Sequence, residues 1–326
     1  MKGHYKNILC VMTDTHKQDN LVAQAMHIAK SHQAKLTLVL ALESLPPNAR
    51  MVMESFSYLD SERSMGSAAN DWLEERVKEW SATYPMKGVV KVGHPFADVI
   101  TKVQEDKHDL VVKTSEAGHG SSLFGTDDMH LLRKCPCPVW VINAHRSEQY
   151  KSVVAALDLN YHYPKHEIAT RKKLNLDILR HAVQVSLLEF AQLHIVHVFD
   201  AVPENILRGG FISVDEDSME SDLATIHTER DEELDRLLTE VESELETGVI
   251  DYLSPQRHLV RGYPRREIAA TAHSLDADVV VMGTVARLGV PGFIMGGTAE
   301  ETIQQLNCAV LGVKPAGFVS PIQPKK

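Results

Sequence analysis

Residues 279–303 read VVVMGTVARLGVPGFIMGGTAEETI and combine a strand, a glycine-rich loop and the start of a helix. The apolar run VVVM predicts a strand buried in a parallel sheet. The loop after it contains Gly283, Gly289, Gly292, Gly296 and Gly297, and a helix is predicted to begin at Thr298. Glycines let a backbone approach an anion, and a helix N-terminus carries partial positive charge. The stretch therefore has the features of a phosphate-binding loop in an α/β fold.

The loop does not match the commonest nucleotide-binding motifs. It is neither GxGxxG nor GxxxxGK[ST], and it has no lysine that would reach a terminal phosphate. Arg287 is the loop residue that would bring a full positive charge to an anion. The loop alone leaves two interpretations open, a phosphate-binding loop or a loop that has lost this role.

The chain repeats itself once. GHPFAD at 93–98 matches GYPRRE at 262–267, and DLVV at 109–112 matches DVVV at 278–281, both at an offset of 169 residues. YKNIL at 5–9 and YKSVV at 150–154 begin the two halves, and CPV at 137–139 matches CAV at 308–310. A period this long predicts two duplicated domains. We expect a first domain at 1–146, a second at 147–318 and a flexible tail at 319–326.

Each half alternates strands with helices. In the first half, strands are predicted at 7–12, 35–41, 89–92, 110–113 and 139–143, and helices at 20–31, 64–80 and 95–105. In the second half, an acidic helix carries an apolar stripe of Leu223, Ile226, Leu234, Leu237, Val241 and Leu245. Apolar strands that alternate with amphipathic helices predict two tandem doubly wound α/β domains, each with a parallel five-stranded sheet. Such sheets bind ligands beyond the carboxyl ends of their strands, where Asp14, Asp158 and the glycine loop fall.

Composition and charge narrow the class of protein. Apolar residues make up 44% and charged residues 24% of the 326, as in soluble globular proteins. No apolar run reaches the roughly 20 residues of a transmembrane helix, and the N-terminus lacks a signal-peptide cleavage pattern. Four cysteines are too few for a disulfide framework, so we expect a cytoplasmic protein with reduced thiols. The net charge of −10 arises in residues 215–246, and no basic face predicts nucleic-acid binding.

Two long irregular stretches, at 42–63 and 201–221, follow the second strand of each half. Both contain apolar residues: Met51, Val52, Met53, Phe56 and Tyr58 in one, and Ile206, Leu207, Phe211 and Ile212 in the other. Either these stretches pack onto their own domains, or they cover an apolar ligand pocket.

Signatures of catalysis are missing from the sequence. There is no GxSxG elbow and no HExxH pair. The spacing of His119, His130, Cys135 and Cys137 matches no common zinc pattern, so we interpret the two cysteines as part of a turn. His194 and His197 fall in one strand, and we expect them to share a face as core or surface histidines.

These features together resemble the universal stress protein family. The resemblance rests on the aspartate after the first strand, the strand followed by MGT and a glycine loop, and the terminal CPV-like strand. The segments FGTDDMHLLRKCP at 124–136 and GGTAE at 296–300 are similar to those of its tandem-domain members. The resemblance covers nearly the whole chain and implies two Rossmann-like domains. It also implies an intramolecular pseudo-dimer in which the last strands, here 139–143 and 310–314, pair edge to edge.

The nucleotide-binding branch of this family carries Gly-x2-Gly-x9-Gly-Ser/Thr. The second half keeps the spacing as Gly283-x2-Ala286-x9-Gly296-Gly297, with Ala286 for the second glycine and Gly297 for the hydroxyl residue. Losing the hydroxyl's charge-assisted hydrogen bond should weaken affinity about ten- to a hundredfold, an effect that Thr298 would partly offset. The first half has Thr114 for the initial glycine, a broken spacing and the acidic Glu116, so we expect no ATP site there.

The resemblance implies a ligand site in the second domain with ATP or another adenine nucleotide, accompanied by Mg²⁺. Asp158 would lie near the base or ribose, and the glycine loop would surround the phosphates. The residues implied are Asp158, Leu159, Val198, Met282, Gly283, Ala286, Arg287, Gly289, Gly296, Gly297 and Thr298. No catalytic residue and no protein-bound metal site are implied.

Three functions follow from these features. The first is a non-catalytic stress-response protein, a sensor or scaffold controlled by a nucleotide or by protein partners, which exists as a monomeric pseudo-dimer or a homodimer. The alternative is a binder of an apolar or lipid-linked small molecule beneath 42–63 and 201–221, with Arg208 or Arg287 at its polar head. A lesser alternative is a slow nucleotide hydrolase that depends on Asp158.

Overall fold

The computed structural model describes residues 5–16, 18–44, 58–116, 123–143, 149–160, 163–199, 216–285 and 295–323; for 58–64, 166 and 216–223 it describes the backbone. The chain divides into two compact units. The first unit comprises Lys2–Ser147 together with Val319–Lys326, and the second comprises Glu148–Phe318.

The first unit contains a five-stranded parallel sheet in the order β3-β2-β1-β4-β5. Its elements are β1 (Asn7–Met12), α1 (Asp19–His32), β2 (Lys35–Glu43), α2 (Tyr58–Trp80), β3 (Met86–Gly93), α3 (Pro95–Asp106), β4 (Leu110–Thr114), α4 (Thr126–Lys134) and β5 (Val139–Ile142). Strand order reverses at β1 and β4, which is where doubly wound sheets open a crevice for ligands.

The second unit repeats this topology in the order β8-β7-β6-β9-β10, again with parallel strands. Its elements are β6 (Ser152–Leu157), α5 (Lys165–Glu189), β7 (Gln192–Phe199), α6 (Glu216–Ser243), α7 (Val249–Leu253), β8 (Gln256–Arg261), α8 (Pro264–Ser274), β9 (Val279–Gly283), α9 (Gly297–Gln305) and β10 (Ala309–Val313). The corresponding crevice lies between β6 and β9.

The core of each unit is its central strands. All six residues of β6 are buried, as are five of six in β1, although consecutive strand residues point to opposite faces. Both faces of each sheet are therefore covered, which explains why these strands read as continuous apolar runs. The outer strands β3 and β8 are only partly buried, as sheet edges usually are.

An aspartate before the fourth strand of each unit ties that strand to the first. The Asp109 carboxylate accepts hydrogen bonds from the N–H groups of Lys6 and Asn7 at 2.7 and 2.9 Å. The Asp278 carboxylate accepts from Lys151 and Ser152 at 2.6 and 2.8 Å. The repeated DLVV and DVVV segments thus align neighbouring parallel strands at their amino ends.

The predicted fold class is confirmed. All five predicted strands of the first unit occur, while α2 begins at Tyr58 instead of residue 64. In the acidic helix α6, Leu234, Leu237 and Val241 are buried as the stripe predicts. Leu245 lies beyond the end of α6 at Ser243 and is half-buried. Within the described ranges, no helix is long and apolar enough to cross a membrane.

The C-terminal segment is described up to Gln323 and belongs to the first unit. The side-chain amide of Gln104 on α3 donates a hydrogen bond to the carbonyl of Ile322 at 2.9 Å, and Ser320 is buried. These contacts attach residues 319–323, which we expected to be flexible, to the first unit.

Candidate functional site

A cavity of about 630 Å³ lies in the second unit beyond the carboxyl ends of β6 and β9. The ends of these strands, the first turns of α8 and α9 and one face of α5 form its wall. Its volume falls in the range of about 300–1,000 Å³ that holds small-molecule ligands. Its position is the crevice in which doubly wound sheets bind ligands, as the sequence predicts.

Backbone hydrogen bonds close the base of the glycine-rich loop. Val285 and Met295 form an antiparallel bridge, and the Gly296 N–H donates to the Thr284 carbonyl at 3.3 Å. These bonds bring the start of α9 next to the end of β9. Because the first turn of a helix has N–H groups without acceptors inside the helix, α9 provides hydrogen-bond donors at the cavity wall.

Asp158 is held by three donors at the other end of the cavity. Its Oδ2 accepts from the Tyr163 hydroxyl at 2.8 Å and from Arg171 Nη1 at 3.3 Å, while Oδ1 accepts from the Asn160 N–H at 3.1 Å. The Arg171 guanidinium stacks 3.4 Å from the centre of the Tyr163 ring and also pairs with Glu167. The carboxylate remains 40% exposed, so a ligand has access to it.

Buried Asn175 fixes the backbone of Asp158. Its side-chain oxygen accepts from the Asp158 N–H at 3.0 Å, and its amide donates to the Asp158 carbonyl at 2.7 Å. Tyr163, Arg171 and Asn175 were not predicted from the sequence. A signal was present, because Arg171 and Asn175 are four residues apart and therefore share one face of α5.

Most of the predicted site residues that the structure describes line one cavity. The cavity wall includes Asp158, Val198, Met282, Gly283, Gly296, Gly297 and Thr298. Leu159 is fully buried and does not line the cavity; its N–H donates to His197 Nδ1 at 3.3 Å. Ala286, Arg287 and Gly289 lie outside the described residues, as do most of the two irregular stretches and Arg208.

Gly283 has a packing role that the motif does not reveal. A Cβ added to it would lie 2.9 Å from Leu174 Cδ2 and 3.6 Å from Ile178 Cδ1, both on α5. A larger residue at 283 would therefore force the Leu174 side chain to move whether or not a ligand binds. A substitution such as Gly283→Val would test helix packing together with ligand binding.

In the first unit, the corresponding position is filled by an ion pair of the chain itself. Lys113 on β4 is 1% exposed, and its Nζ pairs with Asp128 on α4 and with Glu116 at 3.0 Å. The second carboxylate oxygen of Asp128 accepts from the N–H groups of Gly125 and Glu116, each at 2.8 Å. Burial alone would lower the pKa of Lys113, but Asp128 and Glu116 outweigh it and the pKa lies above its usual value.

The two units differ at matched positions. Lys113 is the fourth residue of β4, and Met282 is the fourth residue of β9. Asp128 is the third residue of α4, and Ala299 is the third residue of α9, a helix of the same length. A carboxylate at the N-terminus of α4 thus makes the contacts that a phosphate would make. Glu116, which we expected to repel phosphate, pairs with Lys113.

The histidines of β7 do not share a face, so that expectation was wrong. Residues three apart in a strand point to opposite faces, because the side-chain period is two. His194 Nδ1 lies 3.0 Å from His258 Nε2. His197 instead places Nδ1 3.2 Å from the Leu157 carbonyl, and burial lowers its pKa to about 4.

The cysteines and histidines show no metal centre in the part of the chain that the structure describes. No group of three or more His, Cys, Asp or Glu side chains is arranged to hold a metal ion there. Cys135 and Cys137 lie with their Sγ atoms 3.6 Å apart in the turn before β5, and neither forms a disulfide. His119 lies outside the described residues.

The chain was compared with known proteins. It is 25% identical to universal stress protein E of Photorhabdus laumondii, over 99% of each chain. It is 26% identical to universal stress protein E of Escherichia coli K12, over 98% of this chain and 97% of that one.

Solved structures show the same fold. A functionally unknown protein from Pseudomonas aeruginosa PAO1 superposes with a TM-score of 0.67 at 23% identity, covering 96% of this chain and 94% of that one. A universal stress protein from Archaeoglobus fulgidus DSM 4304 gives 0.60 at 15% identity, covering 95% and 99%. The sequence profile of the universal stress protein family matches residues 4–143 and 171–314, once in each unit. The chain therefore belongs to the universal stress protein family.

Proposed function

We propose that this protein is a non-catalytic stress-response sensor whose second unit binds one adenine nucleotide with Mg²⁺. The observation that carries the proposal is the cavity between β6 and β9. Its wall combines a carboxylate at one end, Asp158, with the glycine-flanked N-terminus of α9 at the other. A carboxylate is suited to accept hydrogen bonds from a ribose or base, and a helix N-terminus is suited to bind phosphate.

The arrangement around Asp158 supports binding in preference to catalysis. Its carboxylate already accepts from Tyr163, Arg171 and a backbone N–H, so these donors hold it in a fixed orientation. A general base must reach the proton that it removes within hydrogen-bond distance, and both oxygens of this carboxylate already have donors. Slow hydrolysis that Asp158→Ala abolishes would overturn the non-catalytic part of the proposal.

The proposed output is a change in partner binding or in stability when the nucleotide binds. The acidic helix α6 is one surface for partners, but the protein's own arginines already pair with part of it. Arg257 contacts Asp231 and Asp235 on α6, and Arg180 contacts Glu244 just after the end of that helix. The apolar-ligand alternative depends on segments outside the described residues and stays a prediction.

Ala299→Asp should strongly weaken ATP binding by the second unit. It would place at the start of α9 the carboxylate that Asp128 provides in the first unit, where it would occupy the N–H groups and repel phosphate. We expect affinity to fall about tenfold or more. The matched control is Ala299→Asn, which adds nearly the same volume without charge and should retain more affinity.

Native mass spectrometry of the full chain, before and after addition of ATP and Mg²⁺, measures this directly. We expect one added nucleotide per wild-type chain. We expect Ala299→Asp to lose it and Ala299→Asn to keep it, at matched melting temperatures. A co-purified apolar mass with no ATP uptake would favour the alternative ligand. No uptake and no co-purified mass would overturn the proposed function.

A further inference from the structure

Arg265 lines the cavity next to the N-terminus of α9, outside the glycine motif. It is the second residue of α8, and its carbonyl accepts hydrogen bonds from the side chains of Thr302 and Gln305 at 3.5 and 3.3 Å. These bonds fix the start of α8 against α9. The long side chain of Arg265 therefore extends from a defined point, and it lines the cavity beside Gly297.

The guanidinium lies where a side chain at position 297 would begin. A Cβ built on Gly297 would lie 3.2 Å from Arg265 Nη2 and 3.5 Å from its Cζ. The nucleotide-binding motif has a hydroxyl residue at this position. Glycine here leaves room for a guanidinium, which supplies a full charge and several donors where a hydroxyl supplies one.

The acidic residues of α9 make such a cation favourable for anion binding. Glu300 and Glu301 lie in its first turns, where their charges oppose a phosphate. Arg265 Nη1 pairs with Glu301 at 2.5 Å, with the two side chains 56% and 48% exposed. Exposed ion pairs contribute little to stability, so Arg265 can exchange the Glu301 carboxylate for a phosphate at small cost.

The first unit lacks this pair at the matched positions. Phe96 is the second residue of α3, as Arg265 is of α8, and His130 is the fifth residue of α4, as Glu301 is of α9. The rings of Phe96 and His130 stack with centres 4.4 Å apart. The first unit, in which Asp128 occupies the helix N-terminus, thus has an aromatic pair at the positions where the second unit has Arg265 and Glu301.

We propose that Arg265 binds the terminal phosphates of the nucleotide in place of the missing hydroxyl residue, and that Glu301 holds it while the site is empty. This inference rests on the proposed function. It makes Arg265 a specificity-determining residue that favours nucleoside triphosphates over monophosphates. Under this proposal Gly297 does not simply remove a hydroxyl donor. It leaves room for the Arg265 guanidinium, which is a stronger donor.

The test measures ATP and AMP binding by the full chain with isothermal titration calorimetry in the presence of Mg²⁺. Arg265→Gln should weaken ATP binding about 10- to 100-fold, and AMP binding by less than about threefold. Glu301→Gln should strengthen ATP binding, because it releases Arg265. Arg265 is exposed, so melting temperatures of these variants should match the wild type.

A second readout comes from combining substitutions at positions 265 and 297. Gly297→Ser should add little affinity for ATP in the wild type, where Arg265 fills the space, but should recover affinity in the Arg265→Gln background. Equal losses for ATP and AMP in Arg265→Gln, or the same effect of Gly297→Ser in both backgrounds, would overturn this inference alone. A wild-type chain that binds neither nucleotide would overturn the proposed function with it.

Discussion

Replacing Asp128 with alanine is expected to lower the free energy of unfolding of the first unit by about 3–5 kcal/mol. The change leaves Lys113, 1% exposed, without its most buried partner, and two backbone N–H groups without an acceptor. Adding Lys113→Met should recover more than half of the loss. The double variant has the residues of the second unit at the matched positions, Met282 and Ala299, and no unpaired buried charge.

Urea unfolding followed by tryptophan fluorescence suits this experiment. The chain's three tryptophans, Trp72, Trp80 and Trp140, all belong to the first unit, so their signal reports its unfolding. Glu116→Gln is the control, because that side chain is 34% exposed and should change stability by less than about 1 kcal/mol. A double variant no more stable than Asp128→Ala would contradict the role assigned to the ion pair.

Acidification is expected to destabilise the second unit by about 3 kcal/mol through His197 alone. Burial lowers the pKa of His197 from 6.5 to about 4 in the folded protein. Between these values the unfolded chain binds a proton that the folded chain does not. The stabilising contribution is therefore complete above pH 6.5 and is lost as the pH falls to about 4. The lowered pKa values of His194 and His258 act in the same direction.

The variant His197→Asn isolates this effect. Asparagine has both a donor and an acceptor for the Leu157 carbonyl and the Leu159 N–H but does not titrate, so the stability of the variant should depend less on pH between 6.5 and 4. Pulsed hydrogen exchange of the full chain in urea, read on peptides of β6 and β7, measures the second unit separately. Parallel pH profiles for the wild type and His197→Asn would show that His197 does not carry the dependence.

Most of the fold could be predicted because the signals are local and duplicated. A buried parallel strand is a run of apolar residues, and the repeat shows each strand twice, as with DLVV and DVVV. The start of α2 was placed six residues too late. Its first turn lacks the regular apolar spacing, so nothing in the sequence pattern distinguishes it from the preceding irregular stretch.

The site was predictable in position but less so in composition. Asp158 and the glycine loop were found because they follow strands. Arg171 and Arg265 were missed because a sequence does not show which faces of α5 and α8 meet the crevice, and Tyr163 was missed because it lies in the loop before α5. Lys113 and Asp128 pair across two separate elements, β4 and α4. The sequence does not show which residue pairs with a lysine in an apolar strand, because that depends on how the strand and the helix pack.

The carboxylate of Asp128 has one further consequence, which concerns concentration. A group attached to the chain and held in place meets its binding partner at a high effective concentration that dilution does not lower. We therefore expect the first unit to take up no nucleotide, whatever the nucleotide concentration around it. If the second unit binds as proposed, each chain has one nucleotide site. The fraction of sites occupied then rises hyperbolically with nucleotide concentration, with a Hill coefficient of about one.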